Sequence, residues 1–150
     1  MSLLFGGKEI KNDVELEASG VWVEVDVSSQ EVVESFDAKP KELEEGFLYL
    51  RVARYGNAKA QKRTQALAKK YNLNKPQHKR KYMAELLAET VLLEWANVKD
   101  ESGAEIEYTA EQGRALMEDD EYEWLANIVA GVSRDVQNFR RENITIVGKK

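Results

Sequence analysis

Two segments in the first third of the chain alternate between apolar and other side chains. Residues 21–27 read VWVEVDV, which places the valines on one face and Trp22, Glu24 and Asp26 on the other. Residues 47–54 alternate in the same way. A period of two is typical of a β-strand, and a strand with one polar face is typical of an antiparallel sheet that is half exposed to water. We therefore predict that the two segments pair as an antiparallel hairpin with a long connection.

The segments beside these strands have weaker patterns. In residues 1–20, Val14, Leu16 and Ala18 alternate with acidic residues, which allows an edge strand within a loosely ordered lead-in. Residues 28–46 allow either a helical turn with a serine cap or a loop. The pattern leaves both alternatives open for this connection.

The middle of the chain has apolar residues at steps of three and four, which is the spacing of an amphipathic helix. A first helix is predicted over residues 58–71, with Asn57 as its N-cap. A second helix is predicted from about residue 77 through 98. Its apolar face is too broad for a surface helix and includes Trp95, so we expect this helix to form the spine of the core.

The last third begins with a turn at residues 100–103, which is followed by a short extended segment at residues 104–108. Thr109 and Gln112 then form a capping-box pattern that predicts a short helix. A longer amphipathic helix follows, capped at Asp119 or Asp120, and its apolar stripe continues to Phe139.

The predicted elements define the fold class. With 150 residues, 43% hydrophobic and 33% charged, the chain suits one folded domain. We predict an α+β protein that is mainly α, in which a small N-terminal antiparallel β-hairpin packs on a bundle of about four helices. Residues 142–150 are predicted to form a flexible tail.

The residue content gives little support to catalysis. The chain has no cysteine, so disulfides, thiolate catalysis and cysteine metal sites are excluded. His78 is the only histidine and stands beside three basic residues, which disfavours a metal ion there. The acidic cluster at residues 118–121 lacks the spacing of a calcium loop. We therefore expect no enzyme activity, no cofactor and no metal. No apolar run is long enough for a membrane span, so we also expect no membrane partner.

Charge is distributed unevenly along the chain, although the formal net charge is only −5. Every ionised side chain from Lys59 to Lys81 is basic, whereas acidic residues dominate residues 9–45 and 100–123. Such segregation is typical of a nucleic-acid face or of complementary surfaces for protein association. It is equally consistent with helices of opposite charge that pair within the fold.

Two short motifs carry a family resemblance. The first is A-R-x-G-N at residues 53–57, and the second is W-x-N-V-K-D…G…I-x-Y-T at residues 95–109. Together with a preceding strand that contains Trp22 and an intervening basic helix, they resemble the tail assembly chaperones of long-tailed bacteriophages and prophages. The resemblance covers roughly residues 21–139.

The resemblance implies a non-catalytic function. Proteins of that family hold the long tape measure protein and bring in tail tube subunits while the tail is assembled. It therefore implies that this chain binds both partners in the bacterial host cytoplasm, without remaining in the mature virion. Self-association is also compatible with the segregated charge.

The basic segment and the two motifs supply the candidate partner-binding residues. These are Arg54, Asn57, Lys62, Arg63, Lys69, Lys70, Arg80, Lys81 and Trp95. The alternative function is a nucleic-acid-binding accessory protein that uses the basic segment from Lys59 to Lys81. The acidic balance of the chain, with a pI near 5.1, disfavours this alternative.

Overall fold

The computed structural model describes residues 3–9 and 11–147. Four strands form one antiparallel sheet in the order β2–β1–β3–β4. The strands are β1 Val21–Asp26, β2 Glu31–Phe36, β3 Phe47–Val52 and β4 Leu92–Ala96. The α-helices are α1 Val14–Ser19, α2 Ala58–Lys70, α3 Pro76–Thr90, α4 Ala110–Glu118 and α5 Glu123–Arg134. The predicted α+β class is confirmed, but the sheet is larger than the predicted hairpin.

The predicted pairing of the first and third strands is confirmed. Val23 of β1 lies opposite Leu50 of β3, and Val25 lies opposite Leu48. All four side chains are buried on the face of the sheet that α3, α4 and α5 cover. The alternating pattern was readable because this burial requires apolar residues at every second position.

Strand β2 corrects the prediction of a helical turn or a loop between residues 28 and 46. It runs antiparallel to β1 after a turn in which Gln30 adopts a positive φ of 59°. Its side chains are exposed from Glu31 to Glu34, although its main chain pairs with β1 from Glu31 to Phe36. Pairing of the main chain with β1 defines the strand, so its side chains carry no alternating apolar signal.

Strand β4 corrects the predicted helix that continued to residue 98. Helix α3 ends at Thr90, and the N–H of Val91 makes the capping hydrogen bond to the carbonyl of Leu87. The chain then enters the open edge of β3, where Trp95 lies opposite Leu50. A continuous apolar run fits a buried strand as well as a buried helix, and here the unpaired edge of β3 decides between them.

The ends of the chain also differ from the predicted elements. The edge strand suggested for residues 14–18 is wrong, because α1 forms there with Asp13 accepting a hydrogen bond from the N–H of Leu16 at 3.0 Å. Helix α5 ends at Arg134, earlier than predicted, since Asp135 caps a separate 3₁₀ turn over Val136–Phe139.

The segment predicted as a tail is described as far as Val147. Ile144 is buried in the main core. The main chain of Thr145 donates to the carbonyl of Ser35 at 2.9 Å and accepts from the N–H of Asp37 at 3.1 Å. Residues 144–147 therefore lie against the outer edge of β2, whereas residues 148–150, like 1, 2 and 10, are outside the described part of the chain.

Two helix glycines give a matched test of the packing around Tyr108. A Cβ at Gly113 would lie 2.6 Å from Cε1 of Tyr108, whose hydroxyl donates to the carbonyl of Ala88 at 2.6 Å. A Cβ at Gly131 meets nothing within 4 Å. We expect Gly131→Ala to stabilise the protein by about 0.5–1 kcal/mol, as alanine does in an open helix position.

We expect Gly113→Ala to have the opposite effect and to lower the free energy of unfolding by about 1–3 kcal/mol, because the Tyr108 ring must move to make room for the new methyl group. Urea denaturation of both variants and the wild type measures these differences. A stabilised Gly113→Ala variant would contradict the close packing of Tyr108 against α4.

Candidate protein-binding site

Glu85 of α3 is the most enclosed charged side chain among the described residues, at 2% exposure. Its Oε1 accepts hydrogen bonds from Nζ of Lys70 at 2.8 Å and from the hydroxyl of Tyr71 at 3.0 Å. Nη1 of Arg114 donates to the same oxygen at 3.0 Å, and Nη2 of Arg63 lies 3.6 Å from Oε2. These five residues, which we call the Glu85 cluster, join α2, α3 and α4.

Hydrogen bonding keeps Glu85 ionised. Burial raises the pKa of Glu85, but the hydrogen bonds from Lys70, Tyr71 and Arg114 together outweigh burial and place its pKa below the usual value. Burial and the neighbouring carboxylate also raise the pKa of the Tyr71 hydroxyl. Two of the predicted partner-binding residues, Arg63 and Lys70, thus have an internal role in this cluster.

Sequence reasoning missed Glu85, although one signal was present. It is the first acidic residue after Glu45, and it stands between Ala84 and Leu86 on the buried side of α3. A lone acid within an apolar and basic segment requires partners when it is buried. Their identity could not be read from the sequence, because Arg114 lies 29 positions away.

The A-R-x-G-N motif holds chain segments together. Oδ1 of Asn57 accepts from the N–H of Ala60 at 3.0 Å, which confirms the predicted N-cap of α2. Nδ2 of Asn57 donates to the carbonyls of Arg54 and Thr90, both at 2.8 Å. Nη1 of Arg54 donates to the carbonyl of Ser133 at 2.7 Å. Both motif residues therefore anchor the start of α2 to the ends of α3 and α5.

The other basic candidates divide into two groups. Arg80 forms an ion pair with Asp120, which links α3 to the 3₁₀ turn before α5. Lys62, Lys69 and Lys81 are exposed, and they make no ion pair with any residue in the described ranges 3–9 and 11–147. Of the predicted basic residues, these three lysines are the ones without an ion pair in the described part of the chain, and partner binding by any of the candidates stays a prediction.

Trp95 is a core residue that also lines an apolar groove. It is 6% exposed, and its Nε1 donates to the carbonyl of Ile106 at 2.8 Å. Its ring meets that of Tyr108 edge to face, with the centroids 4.8 Å apart. Burial raises the pKa of Tyr108 far above the usual value, so this hydroxyl stays protonated. The second motif thus fixes the segment after β4 against the sheet.

One apolar groove begins at Trp95. It has a volume of about 190 Å³, and we call it the Trp95 groove. Two of its residues, Val27 and Tyr122, keep large exposed fractions of 42% and 38%. Its lining consists of Val27, Leu48, Trp95, Asn97, Val98, Leu116, Tyr122, Trp124 and Leu125.

A second groove of about 200 Å³ lies between α3 and α5, and we call it the α3–α5 groove. Its apolar floor includes both methionines of the described residues, and a charged residue stands on each helix. The lining residues are Arg80, Met83, Ala84, Leu87, Met117, Glu123, Ala126 and Asn127. Unbranched methionine side chains adapt their shape to different apolar partners, as at other protein-binding surfaces.

The single histidine has a local structural contact. Nδ1 of His78 accepts a hydrogen bond from the N–H of Asn72 at 3.0 Å, and its ring meets Tyr71 edge to face. Among residues 3–9 and 11–147, no group of histidine, aspartate or glutamate side chains is arranged to hold a metal ion. No helix of this part of the chain combines the length and apolar character of a membrane span.

Comparison with known proteins identifies the family. Residues 51–150 match the model of the YdaY prophage protein family. The chain belongs to this family. The match begins within β3 and extends over α2 to α5, so it contains the whole Glu85 cluster and the α3–α5 groove. No curated protein and no solved structure matches the chain.

The prophage origin implied by the resemblance is confirmed for this YdaY-family protein. The description of the family names no tail assembly role. The tail chaperone function, the tape measure and tube partners and the cytoplasmic location therefore stay predictions.

In this YdaY-family protein, Glu85→Gln tests the charge at the centre of the cluster. We expect it to lower the free energy of unfolding by about 1.5–3 kcal/mol at neutral pH, the range for hydrogen bonds to charged groups. Glu89→Gln is the control, because Glu89 is half-buried and, among the described residues, forms its ion pair with Arg63 alone. A pair at such a position contributes about 0–1 kcal/mol.

The same pair of variants has a defined pH dependence. The pKa of Glu85 is lower in the folded state than in the unfolded state, where it is near 4.5. The contribution of Glu85 to the free energy of unfolding is therefore complete above the unfolded-state pKa and is lost as pH falls through the folded-state pKa. Urea denaturation between neutral and acid pH should show the wild type and Glu85→Gln converging only at acid pH. Equal stabilities at neutral pH would contradict the role of the cluster.

Proposed function

We propose that this YdaY-family protein is a non-catalytic phage tail assembly chaperone. In this proposal it binds the tape measure protein and helps to recruit tail tube subunits during tail assembly. Membership of a prophage family supports a phage-derived role. The two motifs at residues 53–57 and 95–109, with the strand and helix pattern around them, supply the resemblance to tail chaperones.

The α3–α5 groove is the observation that carries the proposal. A partner that binds as an amphipathic helix needs an apolar trough between two helices, into which side chains at every third and fourth position can insert. Met83, Met117 and Ala126 provide such a floor, while Arg80 and Glu123 stand on its two walls. The tape measure protein implied by the resemblance is long and helical, so its helices fit this class of ligand.

The proposal includes a location. A chaperone that releases its client acts in the bacterial host cytoplasm and is absent from the finished particle. Mass spectrometry of purified particles and of the matching cell lysate can test this location, with the tape measure protein as the internal positive control. Stoichiometric recovery of the protein from finished tails would contradict it.

The main test is co-expression with the tape measure protein encoded by the same prophage. We expect the wild type to keep a helical tape measure fragment soluble and to co-purify with it. Ala126→Lys places a charged side chain on the apolar floor and should weaken binding at least about tenfold, as for a central interface position. Pull-down and calorimetric titration measure the change.

Ala115→Lys is the matched control, because Ala115 is an exposed alanine on α4 that lines neither groove. Thermal unfolding of both variants checks that the fold is retained. If the wild type leaves its own tape measure protein insoluble and unbound, the chaperone proposal is wrong. If both alanine variants bind as the wild type does, the α3–α5 groove is not the binding site.

A further inference from the structure

Arginine and lysine have different positions in the basic part of the chain. Residues 46–84 contain 11 of the 22 basic residues and none of the 27 acidic ones, which leaves a formal charge of −16 on the rest. All four arginines of this segment form internal ion pairs. Six lysines are exposed and form no ion pair with any described residue, namely Lys59, Lys62, Lys69, Lys75, Lys79 and Lys81.

The turn between α2 and α3 projects an apolar side chain from this basic surface. Leu73 is 41% exposed and is the one large apolar residue of segment 46–84 with such exposure. The N–H of Asn72 donates to Nδ1 of His78, and the side chain of Asn72 accepts from the N–H of Asn74 at 3.1 Å. These bonds fix the turn, so little ordering entropy is lost when Leu73 binds.

The Trp95 groove has the complementary character. Tyr122, which forms part of its wall, lies in a 3₁₀ turn with acidic residues on both sides in sequence. Three of these acids, Asp119, Glu121 and Glu123, are exposed and make no ion pair within the described part of the chain. The Trp95 groove is therefore an apolar opening beside acidic side chains without ion pairs. It is complementary in polarity and charge to Leu73, an apolar side chain with lysines on both sides in sequence.

We propose that copies of this protein associate head to tail, with the Leu73 turn of one copy seated in the Trp95 groove of the next. Lys69 and Lys75, which flank the turn in sequence, then face the acids beside Tyr122. The proposal does not depend on the tail chaperone function. The two surfaces differ, so the contact is heterologous and propagates from copy to copy unless the rotation closes a ring.

A second copy fits these observations better than a nucleic acid does. A polyanion would meet the lysines, but the remaining charge of −16 would repel it, and it would leave Leu73 and the acidic groove without a role. A second copy satisfies the lysines, the apolar side chain and the acids in one contact.

Sedimentation velocity of the full-length protein at several concentrations tests the proposal. We expect wild type to associate at low salt and to associate more weakly at high salt, where exposed charges are screened. Leu73→Glu and Tyr122→Lys should each abolish association. Val33→Glu is the matched control, since Val33 is 57% exposed on β2, outside both surfaces.

Mixing the two defective variants is the decisive experiment. The Leu73→Glu copy keeps an intact groove and the Tyr122→Lys copy keeps an intact turn, so the mixture should form a 1:1 dimer that grows no further. Circular dichroism of each variant checks its fold. Wild type that is monomeric at every salt concentration, or a mixture that stays monomeric, overturns the proposal.

Adding a DNA duplex at low salt tests the competing interpretation, in which the exposed lysines bind a nucleic acid instead of a second copy. If wild type binds the duplex while Leu73→Glu and Tyr122→Lys still self-associate, the lysines serve a nucleic acid and the second copy is not the partner. If association is lost in both variants and restored by mixing, the head-to-tail contact is supported.

Discussion

The buried carboxylate of Glu85 is the interaction on which the arrangement of the helices depends. A charge removed from water is tolerated only when hydrogen bonds and opposite charges replace its hydration. Here those partners come from α2, from the turn after it and from α4, so no pair of helices can satisfy Glu85 alone. The cluster therefore fixes α2 and α4 on α3, and α3 in turn forms one wall of the α3–α5 groove.

The same chemistry explains why arginine and lysine separate in the basic segment. The guanidinium group presents several donors in a fixed plane and is weakly hydrated, which suits internal pairing such as that of Arg63 with Glu89. The ammonium group of lysine is strongly hydrated, and the six lysines of this segment other than Lys70 keep it at the surface. In residues 46–84 every arginine pairs with an acidic side chain of this chain, whereas these six exposed lysines form no ion pair with a described residue.

The two motifs at residues 53–57 and 95–109 occupy positions that the fold needs. Asn57 bonds three main-chain groups at the junction of α2, β3 and α3, and Trp95 bonds the segment that crosses back over the sheet. Each of these side chains satisfies buried main-chain groups, which is a structural role, and its binding of a partner stays a prediction. The second motif lines part of the Trp95 groove through Trp95, Asn97 and Val98, whereas no residue of either motif lines the α3–α5 groove.

The sequence by itself determined the elements whose side chains alternate or repeat because they are buried. These elements include β1, β3 and α2 with its Asn57 cap. Together with the other periodic segments, they were sufficient to predict the α+β class. Tertiary structure alone decided β2 and β4, since the first is defined by main-chain pairing with β1 and the second by the open edge of β3. It also decided the Glu85 cluster and both grooves, because they join residues from separate helices. Local periodicity reports burial on one element and contains no information on which distant residues share a contact.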